Sequence, residues 1–418
     1  MADGAVDIRK AAEAEAYATP LDKLNPAQPT LFQNDAMWPY FERLRKEAPV
    51  HYTAESEYGP YWSITKFNDI MAVDTNHDVF SSQPGITIAD QQGDEGPLPM
   101  FIAMDPPKHD VQRKTVSPAV SPHNLAKLEP LIRERAGAIL DGLPIGEEFD
   151  WVDKVSMELT AMTLATLFGI KQEDRRKLTY WSDVVTAVPG QGLVDSLEHK
   201  MQIFMEYRGY FDALWNDRVN SEPTGDLISM LAHGDSTRGM EPREYFGNVV
   251  LLTVGGNDTT RNTISGSVYA LNKNPDQYRK LRENPDLITS MVSETIRWQT
   301  PLAHMRRRAT RDFEMGGKTI RAGDKVVMWY VSGNRDEEVI ERPNDYIIDR
   351  ERPRHHISFG FGIHRCVGNR LAELQLRIIW EEIMKRFPDI QVVDEPKRSY
   401  STFVKGYERL PVVIPKRL

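Results

Sequence analysis

The stretch from Pro242 to about Lys273 is an uninterrupted helical pattern, and it constrains the fold more than any other part of the chain. Proline suits the first turn of a helix, where its missing N–H would have no partner anyway. About 31 residues at a rise of 1.5 Å each make a rod of roughly 46 Å, enough to run through a whole domain. Helical periodicity prevails around it, from about residue 105 to 300. Ala36 to Lys46 also reads as a helix, and Arg370 to Phe387 as a last amphipathic helix stopped by Pro388. Strand signals are fewer: His51-Tyr52, Tyr61-Trp62-Ser63-Ile64, and Lys325-Val326-Val327-Met328-Trp329 beyond turns at Gly316-Gly317 and Ala322-Gly323-Asp324. A short β-tail ends the chain. The fold class expected is therefore mainly α with minor β.

No repeat, low-complexity tract or Gly/Ser linker divides the 418 residues, so 1–418 reads as a single domain. Its first 20 or so residues are expected to be loosely ordered, apart from a short Ala/Glu-rich surface helix over 11–18. Hydrophobic residues make up 40% and charged residues 27%, a globular composition with ample material for a core. A net charge of −9 argues against nucleic acid as a partner. No apolar run of about 18 residues predicts a transmembrane anchor, and Met1 to Lys10 lacks the apolar segment of a secretory signal. One cysteine permits neither an intrachain disulfide nor a four-cysteine iron–sulfur cluster, and suits a reducing cytoplasm, where the chain is expected to work.

That cysteine sits in the most informative segment, Phe359-Gly360-Phe361-Gly362-Ile363-His364-Arg365-Cys366-Val367-Gly368. Glycine admits positive φ and a close approach of backbone to a ligand. Such a loop can turn peptide N–H groups toward a sulfur, and a helix starting just after Cys366 adds the positive end of its dipole, which favours the thiolate. A lone cysteine is ordinarily a small buried hydrophobe. The whole string, Phe-Gly-x-Gly-x-His-x-Cys-x-Gly, is more specific than that, and it resembles the signature of the cytochrome P-450 superfamily at every fixed position. The resemblance implies the cytochrome P-450 fold, a long central helix over haem b, and Cys366 as the axial ligand of the haem iron, with Phe359, Gly360 and Gly368 against the cofactor.

Three further segments agree. Within the long helix lies Val254-Gly255-Gly256-Asn257-Asp258-Thr259-Thr260, where Gly255 and Thr259 share a face. Missing side chains at Gly255 and Gly256 would open space beside the helix, bordered by a hydroxyl and an acid. Taken alone this pattern is better read as a packing seam of small residues with an acid on the solvent face. The resemblance makes it the oxygen-binding groove, with Thr259 as hydrogen-bond donor and Asp258 relaying protons through water. Glu294 and Arg297 are spaced to meet on one helix turn, and the resemblance buries them and adds Arg350, a structural trio bracing the cysteine loop. Asp105-Pro106-Pro107-Lys108-His109 leads to Arg113. Haem propionates need fixed cationic or N–H donors, and the resemblance assigns them to His109, Arg113, His364 and one of Arg306-Arg307-Arg308, Arg307 by its spacing from Pro301.

The reaction so implied is a monooxygenation of a hydrophobic substrate with O₂ and two external electrons. No convincing nucleotide-binding Gly-x-Gly-x-x-Gly follows a strand, so the electrons must come from other proteins. Ferredoxin with ferredoxin reductase is the expected source, docking against basic residues such as Arg113, Lys114, Arg365 and Arg370. The alignment with the family places Ile86, Leu98, Met100, Leu251, Val254, Leu302, Met305 and Phe403 around the substrate. The 83–104 loop and the 180–205 region would act as lids. Pro301-Leu302-Ala303-His304-Met305-Arg306-Arg307 and Ser401-Thr402-Phe403-Val404, with the Gly255–Asn262 stretch, are similar to the bacterial alkane and fatty-acid terminal hydroxylases. This implies ω-hydroxylation of medium-chain alkanes, alcohols or fatty acids. The alternatives are the same chemistry on a sterol, terpenoid or macrolide, and a non-catalytic haem-binding sensor, against which the Asp258-Thr259 pair argues.

Overall fold

The structure is a computed structural model and describes residues 2–90 and 96–418. The middle of the expected 83–104 loop, residues 91–95, lies outside the described residues. The chain divides into two compact units, each assembled from separated stretches. Met1–Pro97, Gly266–Cys366 and Asp394–Leu410 form the first, and Leu98–Ser265, Val367–Val393 and Pro411–Leu418 the second. Because each unit is built from returning segments, no linker composition marks their boundary in the sequence.

The first unit is built on a five-stranded sheet. Its strands are β1 (Val50–Thr53), β2 (Tyr61–Ile64), β3 (Phe80–Ser81), β4 (Met305–Ala309) and β5 (Lys325–Met328), in the order β1-β2-β5-β4-β3. Of the three inner strands, β2 and β5 are buried at every position, and each is mostly apolar, with Ser63 and Lys325 the polar members. They pair in parallel, Trp62 with Val326 and Ile64 with Met328, while β4 runs antiparallel to β5. Trp329 follows β5 into a core with Phe32, Phe41 and Val327, and its indole N–H donates to Ser63 at 3.0 Å. The helix Trp38–Glu47 covers this core with Tyr40, Phe41 and Leu44. The helix expected over 11–18 extends over Ala2–Ala18, and its Ala12 and Ala16 are buried in the same core rather than lying on the surface.

The second unit is largely helical. The long helix runs over Pro242–Lys273, 32 residues, as its pattern predicted, and its residues to Ser265 belong here. The helix Asn369–Arg386 packs on Pro122–Asp141 and buries an apolar stripe that includes Leu371, Leu374, Ile378, Ile379 and Ile383. Ion pairs of Arg133 with Glu381 at 2.6 Å and of Arg377 with Glu129 at 3.0 Å flank the stripe. The β-tail expected at the chain's end contributes Pro411–Val413 to a small sheet with Glu148–Asp150 and Gln391–Val392. No helix among the described residues is long and apolar enough to cross a membrane.

Candidate functional site

The cysteine loop owes its shape to two glycines. Gly360 and Gly362 have φ of 65° and 67°, and a Cβ on Gly362 would come within 2.6 Å of the Asp74 carbonyl oxygen. The two reversals bring the Cys366 N–H onto the Phe359 carbonyl at 2.8 Å and leave the sole thiol exposed. A buried carboxylate, Asp74, holds the loop from behind. It accepts from the Phe361 N–H at 2.7 Å, the Tyr330 hydroxyl at 2.9 Å and Arg307 Nη2 at 2.8 Å. Sequence reasoning missed Asp74: it sits near the end of the helix Phe67–Thr75, and nothing in the local pattern separates it from an ordinary solvent-facing acid.

The expected bracing trio is present. Glu294 and Arg297 are 0% and 1% exposed, and Arg297 donates to both carboxylate oxygens at 2.8 Å. Arg350 Nε donates to Glu294 Oε2 at 2.9 Å. The other Arg297 donors meet the carbonyls of Asn334, Pro343 and Asp345. Asn334 then accepts from the Ile357 N–H at 2.9 Å and donates to Ser358 and Thr300 at 2.8 Å each. A continuous hydrogen-bonded path therefore leads from the trio to the two residues that precede Phe359. Asn334, a second residue missed from sequence, is the link.

Three histidines near the cysteine are dispersed. His355 packs on Phe67, His356 is buried beside Phe359, and His364 Nε2 shares a 2.9 Å hydrogen bond with Ser82. No group of three or more His, Cys, Asp or Glu among the described residues is arranged to hold a metal ion. Of the arginine run, Arg307 is 3% exposed and gives one donor to Asp74 and another to the Arg306 carbonyl, so it reaches the loop through its anchor. Arg306 points to the other face of β4, as strand alternation requires, where it meets Asp90 and the Thr87 carbonyl.

In the second unit, the two glycines of the long helix differ. A Cβ on Gly255 would meet nothing within 4 Å, whereas one on Gly256 would fall 2.6 Å from Leu164 Cδ1. Open space thus exists at Gly255 alone, a correction to the expectation for both; Gly256 serves close helix packing. Thr259 lies one turn on from Gly255 and donates to its carbonyl at 3.0 Å. The preceding residue, Asp258, is fully buried. Its Oδ1 accepts from Ser182 at 2.9 Å, Asn257 at 2.9 Å and Arg261 at 3.1 Å, while its Oδ2 has no hydrogen-bond partner among the described residues. Burial pushes its pKa up to about 6, helped by Asp183 and opposed by Arg261. A carboxyl poised there can take and release a proton near neutral pH.

His109 and Arg113 share the helix Lys108–Val116, and His109 is buried with Nδ1 2.8 Å from Asp110. Burial lowers the pKa of His109. The expected substrate residues fall in two groups. Ile86, Leu302, Met305 and Phe403 in the first unit are each partly exposed. There the Ile86 carbonyl accepts from the Arg306 N–H, Ala303 N–H donates to the Phe403 carbonyl at 2.8 Å, and Leu302 bridges to Val404. His304 clips these segments together: Nε2 accepts from the Ile88 N–H at 3.0 Å and Nδ1 donates to the Thr402 carbonyl at 2.9 Å. Leu98, Met100, Leu251 and Val254 belong to the second unit, where Met100 is 9% exposed and the others are half-buried. The 98–101 backbone lies on the long helix at Gly247, where a Cβ would be 1.7 Å from the Pro99 oxygen, and Phe101 N–H donates to Asn248 at 2.9 Å.

Each unit, taken by itself, carries features that fit a haem-thiolate site. The loop presents an exposed thiol on a rigid backbone, the helix leaves open space at Gly255, and Cβ-free Gly368 is likewise unobstructed. The comparisons with known proteins agree. The cytochrome P450 family model matches residues 30–408. The chain is 46% identical to the structure of cytochrome P450-153 from Novosphingobium aromaticivorans, with a TM-score of 0.87 and coverage of 94% of this chain and 99% of that one. It is 45% identical to CYP153D17 from Sphingomonas sp. PAMC 26605, with a TM-score of 0.89 and coverage of 94% and 100%. Among curated proteins it is 35% identical to the linalool 8-monooxygenase of Pseudomonas putida, over 93% of this chain and 98% of that protein. It is 32% identical to a methyl-branched lipid omega-hydroxylase of Mycobacterium tuberculosis, over 89% and 90%. The chain belongs to the cytochrome P450 family, whose members are haem b monooxygenases.

Proposed function

We propose that this enzyme hydroxylates the terminal methyl of a medium-chain alkane, alcohol or fatty acid, working as one catalytic domain over 1–418 in the cytoplasm. The observation that carries the reading is whole-length likeness to an omega-hydroxylase and to the P450-153 structures. Apolar, partly exposed side chains on both groups of expected substrate residues support it. Bacterial members of the family take electrons from redox partners and bind hydrophobic substrates; here ferredoxin and ferredoxin reductase are the proposed donors.

Bound haem supplies the oxygen chemistry, the insertion of one atom of O₂ into a C–H bond. Cys366 would hold it as thiolate, with Phe359, Gly360, Gly368 and Gly255 against it and His109, Arg113, His364 and Arg307 serving its propionates. Glu294, Arg297 and Arg350 brace the loop that presents Cys366. Thr259 would hold a proton at its hydroxyl on the open face of the helix. Asp258 would replenish it from the buried side through water. Ile86, Leu98, Met100, Leu251, Val254, Leu302, Met305 and Phe403 would guide the chain end and exclude water. Terminal attack meets a stronger C–H bond than subterminal attack, so orientation must supply the selectivity.

The test is product analysis on a chain-length series of alkanes and fatty acids with a ferredoxin couple. Primary alcohols as main products support the reading; subterminal alcohols alone refute it. A branched terpenoid is the second reading, favoured by the 35% identity to the linalool enzyme. Turnover of linalool in preference to every linear chain would select it.

A further inference from the structure

The first unit contains a cavity of about 300 Å³ that the monooxygenase reading leaves without a role. Four cations line it: Arg45, Arg335, Arg398 and Lys405. Two carboxylates, Asp35 and Glu42, also line it. The pairing is uneven. Arg45 has Glu337 at 3.1 Å, and Arg398 has Glu395 at 3.5 Å and Asp35 at 3.9 Å. Asp35 is shared with Arg9 at 3.5 Å, and Glu42 pairs with Lys46 outside. Arg335 and Lys405 have no carboxylate within 4.0 Å among the described residues, although they are only 5% and 9% exposed.

Buried cations of this kind are costly unless paired. Arg335 gives its Nη atoms to the carbonyls of Pro343 at 2.9 Å and Trp298 at 3.1 Å. Lys405 has three N–H donors and a single protein acceptor, the Gln299 carbonyl at 3.1 Å. Trp38 and Trp298 face both cations, at 4.6 and 5.3 Å from the Arg335 guanidinium and 5.5 and 5.8 Å from the Lys405 ammonium. Ring faces offset part of the desolvation and none of the net charge. Burial draws the pKa of Lys405 down to about 8 and that of Arg335 to about 9, with neighbouring cations adding to the effect and acids opposing it. Two positive charges with no carboxylate in direct contact among the described residues, ammonium donors beyond the one bond to Gln299, and the open volume they line are the complement of a dianionic oxyanion.

We infer that this cavity is a binding site for a phosphate group, held by Lys405, Arg335 and Arg398 between the two tryptophans. Phosphate can arrive free or as a monoester, and the aromatic walls give an ester somewhere to place its organic part.

The test is isothermal titration of the haem-loaded protein at neutral pH, with ionic strength held constant by chloride, using inorganic phosphate and phenyl phosphate as separate probes. Saturable binding tighter than about 1 mM is expected for at least one of them. Lys405→Met and Arg398→Gln should each weaken it at least tenfold while the carbon monoxide difference spectrum stays that of the parent. Equal affinities would assign free phosphate, and a tighter ester an organic phosphate; both uphold the site. Absence of saturable binding by both probes overturns it, as does unchanged affinity in the variants. Should Lys405→Met fail to take up haem, Arg398→Gln decides alone, since its side chain lies at the cavity wall and its backbone in a strand of only two residues.

Discussion

Replacing Asp74 by asparagine tests whether the cysteine loop is held from behind by one buried charge. The carboxylate is 2% exposed and accepts three hydrogen bonds, from Arg307, Tyr330 and the Phe361 N–H. Asparagine has the same shape but one acceptor oxygen and one NH₂. In either rotamer the NH₂ faces a donor, Arg307 on one side or the Phe361 N–H on the other. Arg307, 3% exposed, also loses the only carboxylate it pairs with among the described residues. Breaking a buried pair from one side costs about 3–5 kcal/mol. Tyr330→Phe removes a single hydrogen bond to the same carboxylate and should cost about 1.5–3 kcal/mol. Urea unfolding of the haem-loaded protein measures both losses. The carbon monoxide difference spectrum reports the loop itself, and Asp74→Asn should lose part of its thiolate-ligated band, more than Tyr330→Phe does. The reasoning fails if Asp74→Asn unfolds within about 0.5 kcal/mol of the parent with its thiolate band intact, or if Tyr330→Phe is the more damaging of the two.

Other expectations follow from the same geometry. Gly247→Ala should destabilise by about 1–3 kcal/mol, because its Cβ has no room beside the Pro99 oxygen, whereas Gly255→Ala should gain up to about 1 kcal/mol of helix stability and lose turnover; thermal melts and rates check the pair. Thr259→Ala should leave haem uptake unchanged and lower the product formed per electron consumed, read from paired product and NADH assays. Asp258→Asn should remove a rate limb centred near pH 6, seen in the kcat profile. His304 has a folded pKa lowered by burial from 6.5 to about 4, so the unfolded chain takes up the proton first as pH falls. Its contribution is complete above pH 6.5 and is lost progressively down to about 4, on the order of 3 kcal/mol in all. Denaturation midpoints of His304→Gln should fall less steeply over that window than those of the parent.

Much of the site was legible because its chemistry requires residue types at short, rigid spacings. Two positive-φ glycines shape the loop that leads into Cys366, so the loop advertises itself as a string. Glu294 and Arg297 meet across one helical turn, and the Pro242–Lys273 rod is carried by its own periodicity. Aromatic and β-branched residues between turns likewise marked β2 and β5. What stayed hidden depends on partners distant along the chain. Asp74 is separated from Phe361 by 287 positions, and Asn334 from Ile357 by 23, so no local pattern connects them. Gly255 and Gly256 are adjacent and identical in sequence, yet one faces space and the other Leu164, because only the packing of neighbouring helices tells the faces apart.

The sequence by itself therefore determined the family, the glycine-rich cysteine loop and the main helical and strand elements, since each is set by backbone geometry or periodicity within a few residues. Tertiary structure alone decided which buried groups anchor the loop, which glycine opens onto space, and where Arg335 and Lys405 come to rest with no carboxylate in direct contact among the described residues. Those outcomes arise from burial and charge pairing between segments far apart along the chain, and desolvation acts on a group only once its surroundings have assembled.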